Sequence, residues 1–350
     1  MPENNLSDSK LKKSDGPLAT AGSHHKSQTL SNWIAVYGLL VVFLLVMAVF
    51  GVLRPSSFLS VTNFNGILVS QSVTAMLALA EMIPLATKQF DLSVGYHLGM
   101  AQVLIIGLQV QEGLGWPEAT ALILVLSLVV GFVNGALVTW FKIDSFIATM
   151  GTGTILYGFS NWYSNGEQIV GMSLPHSFTG LSRIYHGLPL PALYVGVIAI
   201  ILWGVTERLP IGRNLYVIGA NVRAAELTGI NVSRHVMGAF IASGFISGVA
   251  GIVLASILQT GTPSVGPEYL LPAFAATLLG ATSIRPGRVN VIGTLISVLV
   301  LAFSFSGVQQ LGAPFYVQYF FNGGILIVAV GLSVYAAQRR QRAATSATPK

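Results

Sequence analysis

Cysteine is absent from all 350 residues, which excludes a disulfide framework and thiolate chemistry. Charge is nearly as scarce. Asp, Glu, Lys and Arg make up 9% of the chain, where soluble domains carry about 25%. A phosphate-binding loop is also missing: no Gly-x-x-x-x-Gly-Lys-Ser/Thr run occurs, and no lysine follows a glycine. Nothing in the chain itself is therefore expected to hydrolyse ATP. No nucleophile and base stand together, and His24, His25, His97 and His235 are too isolated from other ligands to suggest a metal set, so catalysis and metal binding are not expected.

What is abundant is apolar surface. Hydrophobic residues reach 53% and mean hydropathy is +0.71, which describes an all-α polytopic membrane protein. A helix needs roughly 20 mostly apolar residues to cross about 30 Å of hydrocarbon. That length places about ten spans, near 33–53, 64–86, 92–110, 117–141, 145–163, 189–206, 235–258, 269–284, 288–307 and 314–336. With both ends cytoplasmic, the inner segments hold 16 of the 18 Lys and Arg residues, leaving Arg54 and Arg183 outside. The net charge of +6 thus reads as membrane orientation rather than nucleic-acid binding.

This topology divides the chain into a polar, disordered tail at 1–32, a membrane domain at 33–336 and a cytoplasmic tail at 337–350. The tail lacks the apolar core of a signal peptide. Arg339, Arg340 and Arg342 read as an anchor against anionic lipid. An outer loop at 164–188, carrying Glu167, His176, Arg183, Tyr185 and His186, suits either docking of a soluble partner or a lid. Glu81 falls inside a span near its inner end, just before Pro84, and Asp91 sits where it can cap the next helix. Both read as structural, so no ion-gradient coupling is expected.

The inner segment 207–234 holds a polar stretch, GANVRAAELTGINVSRHV at 219–236. Asn221 fits a helix N-cap, Arg223 to Thr228 favours helix, and Gly229 fits the left-handed residue that ends one. Ala224 and Ala225 keep this two-turn helix slim enough to enter a partner's cleft, with Arg223 and Glu226 able to pair at its rim; a plain surface linker has the same pattern.

Four motifs raise the first reading. GRNLYVIGANVRAAELTGINV at 212–232, DLSVG at 91–95, FVNGALVTWFKIDSFIATMGT at 132–152 and LLGATS at 278–283 occur in one order. Together they resemble the permease subunits of ribose/xylose-type ABC importers, over about 60–335. The chain departs from that pattern at Lys88-Gln89-Phe90, where the family has Gly-Gly-Ile, and at Ala220, Asp144 and Arg285-Pro286-Gly287-Arg288. The resemblance implies a bacterial inner-membrane subunit that pairs with a second permease copy, two cytoplasmic ATPases carrying the ATP and Mg²⁺, and a periplasmic sugar-binding protein. It also implies that Gly219, Asn221, Arg223, Ala224, Ala225, Glu226 and Gly229 form the ATPase-coupling contact.

Ten spans divide into five and five, and an odd-numbered repeat placed twice is inverted. Small residues four apart at Gly95 and Gly99, Gly131 and Gly135, and Gly244 and Gly248 suit close helix contacts. Candidates for a sugar path are polar stripes: Gln71 and Thr74; Asp91 and Ser93; Thr149 and Thr152; Ser243 and Ser247; Gln318 and Asn322. The competing reading is an ATP-independent channel or facilitator for a small polar solute.

Overall fold

The computed structural model describes residues 21–325, 327, 328 and 331, with side chains from residue 36 onward. Residues 1–20 of the expected tail, the end of the tenth expected span and the Arg339–Arg342 anchor lie outside the described residues.

Among the described residues, seven helices are long and apolar enough to cross a membrane: α1 (Ala21–Leu53, from Val36 onward), α3 (Val61–Ala86), α4 (Ser93–Val110), α5 (Trp116–Thr139), α8 (Leu190–Arg208), α11 (Val232–Leu258) and α13 (Val291–Gln310). Each lies within a few residues of a span read from hydropathy. The expected ten are not matched one for one. Helix α6 (Ser145–Ser164) has the length, but its hydroxyl and glycine content lowers its hydropathy. Helix α12 (Val265–Gly280) has 16 residues, or about 24 Å of rise, less than the ~30 Å hydrocarbon core. Residues 317–325 are helical at the start of the tenth expected span.

Helix α1 starts at Ala21, inside the segment expected to be disordered. Adding residues to an existing helix is far cheaper than nucleating one, so the apolar run can carry the polar residues with it. The shorter helical elements among the described residues are α2 (Pro55–Phe58), α7 (His176–Thr179), a 3₁₀ turn (Gly180–Ser182), α9 (Pro210–Ala220) and α10 (Val222–Leu227).

The largest apolar core joins α3, α4, α8, α11, α12 and α13, with α3 and α4 buried along most of their length. A second core joins α4, α5 and α11 to Ile169 and Phe178 of the 164–188 loop. Helices pack closely at glycines. A Cβ on Gly131 would lie 2.5 Å from the Phe240 carbonyl oxygen, and one on Gly244 2.7 Å from that of Ser127, so α5 and α11 touch backbone to backbone. Gly266 meets Gly95 and Gly99 in the same manner and joins α12 to α4.

The 164–188 loop is tied to the rest of the protein. Strand β1 (Ile169–Val170) pairs antiparallel with β4 (Thr260–Gly261), while β2 (Ile184–Tyr185) pairs with β3 (Leu188–Pro189). Buried Gln102 holds the turn around β4: its amide nitrogen donates to the Thr260 carbonyl at 2.7 Å and its oxygen accepts from the Thr262 N–H at 3.2 Å.

Candidate functional site: coupling segment, polar network and cavity

At the end of α8 the chain turns at Pro210 into α9, an amphipathic helix that hydropathy alone did not single out. Then comes α10. The Asn221 side chain accepts from the Ala224 N–H at 3.0 Å, and Gly229 adopts φ +80°, so both expected helix signals operate. Likewise Asn231 caps α11 by accepting from the Arg234 N–H at 3.0 Å.

The faces of α10 are unequal. Ala225 is 0% exposed and packs with Ile218, Val236 and Phe240, with Val138 and Ile230 at the edge. Leu227 is 76% exposed. Val222, Arg223, Ala224 and Glu226 are also exposed, and Arg223 pairs with Glu226 at 3.4 Å. Ala225 is therefore small because α10 lies on α5 and α11 of its own chain, which differs from the expected slim surface. Gly219 faces inward too. A Cβ there would come within 2.1 Å of the Ala86 carbonyl oxygen.

A second contact fastens α9. Arg288, in the turn between α12 and α13, stands 3.3 Å from the centroid of the Tyr216 ring, and the Tyr216 hydroxyl donates to the Val289 carbonyl at 3.0 Å. Burial pushes the Tyr216 phenol above its ordinary range, while the guanidinium opposes that shift. Glu207, at the end of α8, pairs with Arg285 and lies 3.8 Å from Arg288. The Arg-Pro-Gly-Arg departure thus builds a clamp that ties α8, α9 and the α12–α13 turn. At the 88–90 departure Lys88 adopts φ +60°, a left-handed backbone that the glycine of the family pattern would enter freely.

Just beyond Lys88 lies a buried polar network. Asp91 Oδ1 accepts from Ser93 Oγ at 2.5 Å and from the Ser93 N–H at 3.2 Å, while Oδ2 accepts from Ser243 Oγ at 2.8 Å. Helix α4 starts at Ser93 with Leu92 in the cap position, so Asp91 acts one residue earlier than a simple N-cap. Asn134 donates to Ser93 Oγ at 2.8 Å and accepts from Thr152 Oγ at 2.6 Å. Thr149 Oγ accepts from the Leu92 N–H at 3.0 Å, and Ser247 donates to the Ser243 carbonyl at 2.9 Å. Glu81 accepts from the Asp91 N–H at 3.2 Å. Six elements meet here: α3, the 87–92 turn, α4, α5, α6 and α11.

The remaining four path candidates stand together elsewhere. Gln71, Thr74, Gln318 and Asn322 line a cavity of about 230 Å³ with Glu268 and Tyr269. Gln71 lies ten residues into α3, about 15 Å along its axis, so the cavity reaches mid-membrane depth. The structure thus separates the candidates into a cavity set and a network set. Glu268 lies one residue before the eighth expected span, which starts at 269, whereas α12 begins at Val265 and carries Glu268 in its first turn. Among the described residues, no group of three or more His, Cys, Asp or Glu side chains could hold a metal ion.

The chain matches, over residues 63–330, a family described as the permease component of a branched-chain amino acid transport system. It is 32% identical to the D-allose transport system permease protein of Escherichia coli K12, over 85% of this chain and 90% of that one. It is 34% identical to the ribose import permease protein of Bacillus subtilis 168, over 83% of this chain and 89% of that one. With the galactose/methyl galactoside import permease protein of Haemophilus influenzae it shares 30% identity, over 88% of this chain and 96% of that one. No solved structure matches. The α9–α10 segment, the network and the cavity all lie within the matched span, and the chain belongs to this family of multi-pass transport-system permeases.

Proposed function

We propose that the chain is the permease subunit of an ATP-binding-cassette importer for a monosaccharide or related polyol. The family description names branched-chain amino acids, but the relatives aligned over most of both chains bear sugar names, which favours a sugar. ATP and Mg²⁺ act on separate cytoplasmic ATPase chains, a periplasmic binding protein delivers the sugar, and two permease copies pair in the bacterial inner membrane with both ends inside. The five-and-five division gives an inverted repeat in this reading.

The observation that carries the proposal is α10. It presents Val222, Arg223, Glu226 and Leu227 outward while its other face is seated on α5 and α11. A force applied to that outer face bears on the glycine-packed α5–α11 pair and, through Gly219, on the carboxy end of α3. ATPase closure then shifts the population between two helix packings. The 87–92 turn and its Asp91 network lie directly after that end of α3, and the Gln71, Thr74, Gln318 and Asn322 cavity offers amide and hydroxyl groups to a neutral sugar.

The test is uptake of labelled ribose, allose and galactose into proteoliposomes holding the chain with its ATPase and binding protein. Uptake of one of them that requires ATP supports the proposal. Equal uptake without nucleotide would establish the facilitator instead.

A further inference from the structure

Helices α8, α9 and α11, with Ile83 of α3, line a groove of about 520 Å³, more than twice the volume of the polar cavity. Its walls are hydrocarbon: Ile83, Ile198, Leu202, Leu215, Ala242 and Ile246 are among them. The polar groups on its wall are engaged, with one exception. Thr206 Oγ donates to the Leu202 carbonyl at 2.8 Å. His235 Nδ1 lies 2.8 Å from the Asn231 carbonyl and Nε2 lies 3.1 Å from Asn214 Nδ2. An amide nitrogen only donates, so Nε2 accepts and Nδ1–H donates, which is the neutral tautomer. Arg234 is the exception: it is exposed and forms no ion pair among the described residues.

The dimensions suit one leaflet. Along α11 the lining residues run from Arg234 to Ile246, twelve positions and about 18 Å of rise, beside roughly 15 Å for half of a bilayer's hydrocarbon core. Two more exposed cations flank the same end, Arg208 just after Thr206 and Arg213 just after Ile211. A sugar would find few free partners for its hydroxyls on this wall. We propose that the groove holds an acyl chain of an anionic glycerophospholipid whose phosphate pairs with Arg234. That this end faces the inner leaflet rests on the topology proposed above; the site itself does not. Because α9 forms one wall and α11 another, the bound lipid sets the spacing between the helix leading into α10 and the helix beneath it.

Gly238 supplies a clean test, since it is exposed, lines the groove, and a Cβ there meets nothing within 4 Å. Full-length protein in mild detergent is titrated with phosphatidylglycerol or phosphatidylcholine, and bound lipid is counted by native mass spectrometry. Wild type is expected to prefer phosphatidylglycerol, and Arg234→Gln to lose about fivefold of that preference, which corresponds to the ~1 kcal/mol of one cation beside anionic lipid. Gly238→Phe lowers retention of both lipids. An unchanged lipid preference in Arg234→Gln would overturn the headgroup contact, and full retention in Gly238→Phe would overturn the groove. A shift of Gly238→Phe between one-copy and two-copy species at constant lipid count would assign the groove to a second chain and likewise overturn the proposal. No nucleotide or sugar enters the measurement, so its failure is distinct from failure of the importer reading.

Discussion

Gly219 lies so close to Ala86 that a methyl group in place of its hydrogen would come within 2.1 Å of the Ala86 carbonyl oxygen. The obstacle is backbone, which cannot rotate away as a side chain can. Gly219→Ala is therefore expected to push α9 off the end of α3, to lower the stability of the purified chain by the ~1–3 kcal/mol of overpacking, read as a lower melting temperature, and to reduce ATP-dependent uptake. A variant that melts and transports like wild type would show that α9 and α3 need no direct contact.

Ala225 and Leu227 separate packing from partner contact. Ala225→Arg places a charge in the apolar seat formed with Ile218, Val236 and Phe240, so it damages the chain itself. Leu227→Asp alters only an exposed position and is expected to leave melting within about 0.5 kcal/mol of wild type. Recovery of an ATPase with wild type but not with Leu227→Asp would place the contact on the outer face of α10. Equal recovery with both would remove it from that face.

The turn at Gly229 offers a backbone counterpart. Its φ of +80° is one that β-branched side chains avoid. Gly229→Val is expected to abolish ATP-dependent uptake while the chain still inserts, measured as transport per inserted molecule. Unchanged transport would count against coupling through α10.

Asp91 bonds Ser93 and Ser243 through its two carboxylate oxygens. Removing the acceptor in Asp91→Ala leaves the Ser93 and Ser243 hydroxyls short of a partner and is expected to destabilise the chain by about 2–3 kcal/mol, against ~1 kcal/mol for Ser243→Ala. Thermal unfolding in detergent checks the order, and the reverse order would show that the hydroxyl, not the carboxylate, organises the site.

Sugar recognition is expected at the cavity. Gln71→Leu removes an amide from the cavity wall and should cost uptake about five- to thirtyfold, the ~1–2 kcal/mol of a lost substrate hydrogen bond, with little change in melting. A change in stability with uptake intact would make Gln71 a packing residue.

Much of the helical framework was legible in the sequence. Runs such as GLLVVFLLVMAVF in α1 and LILVLSLVV in α5 favour helix in a bilayer, because the polar backbone of an apolar run in lipid must satisfy its own hydrogen bonds. Caps were legible for a similar reason: Asn221, Gly229 and Asn231 act on backbone groups within three residues or through their own dihedral angles. The extent of α12 was less legible. Its residues at 265–268 include Gly266 and Pro267, and what holds them is the packing of Gly266 on Gly95 and Gly99.

By itself the sequence determined the compartment, the places of the apolar helices and the local turns, since these depend on transfer free energy and on bonds between near neighbours. Tertiary structure decided which polar residues share a site. Ser243 reaches Asp91 across 152 positions, and Gln71 meets Asn322 in one cavity, while Ala225, outwardly a surface alanine, is buried. Helical periodicity states which residues share a face of one helix, but which helix lies against that face is set by close contacts such as Gly131 on Phe240.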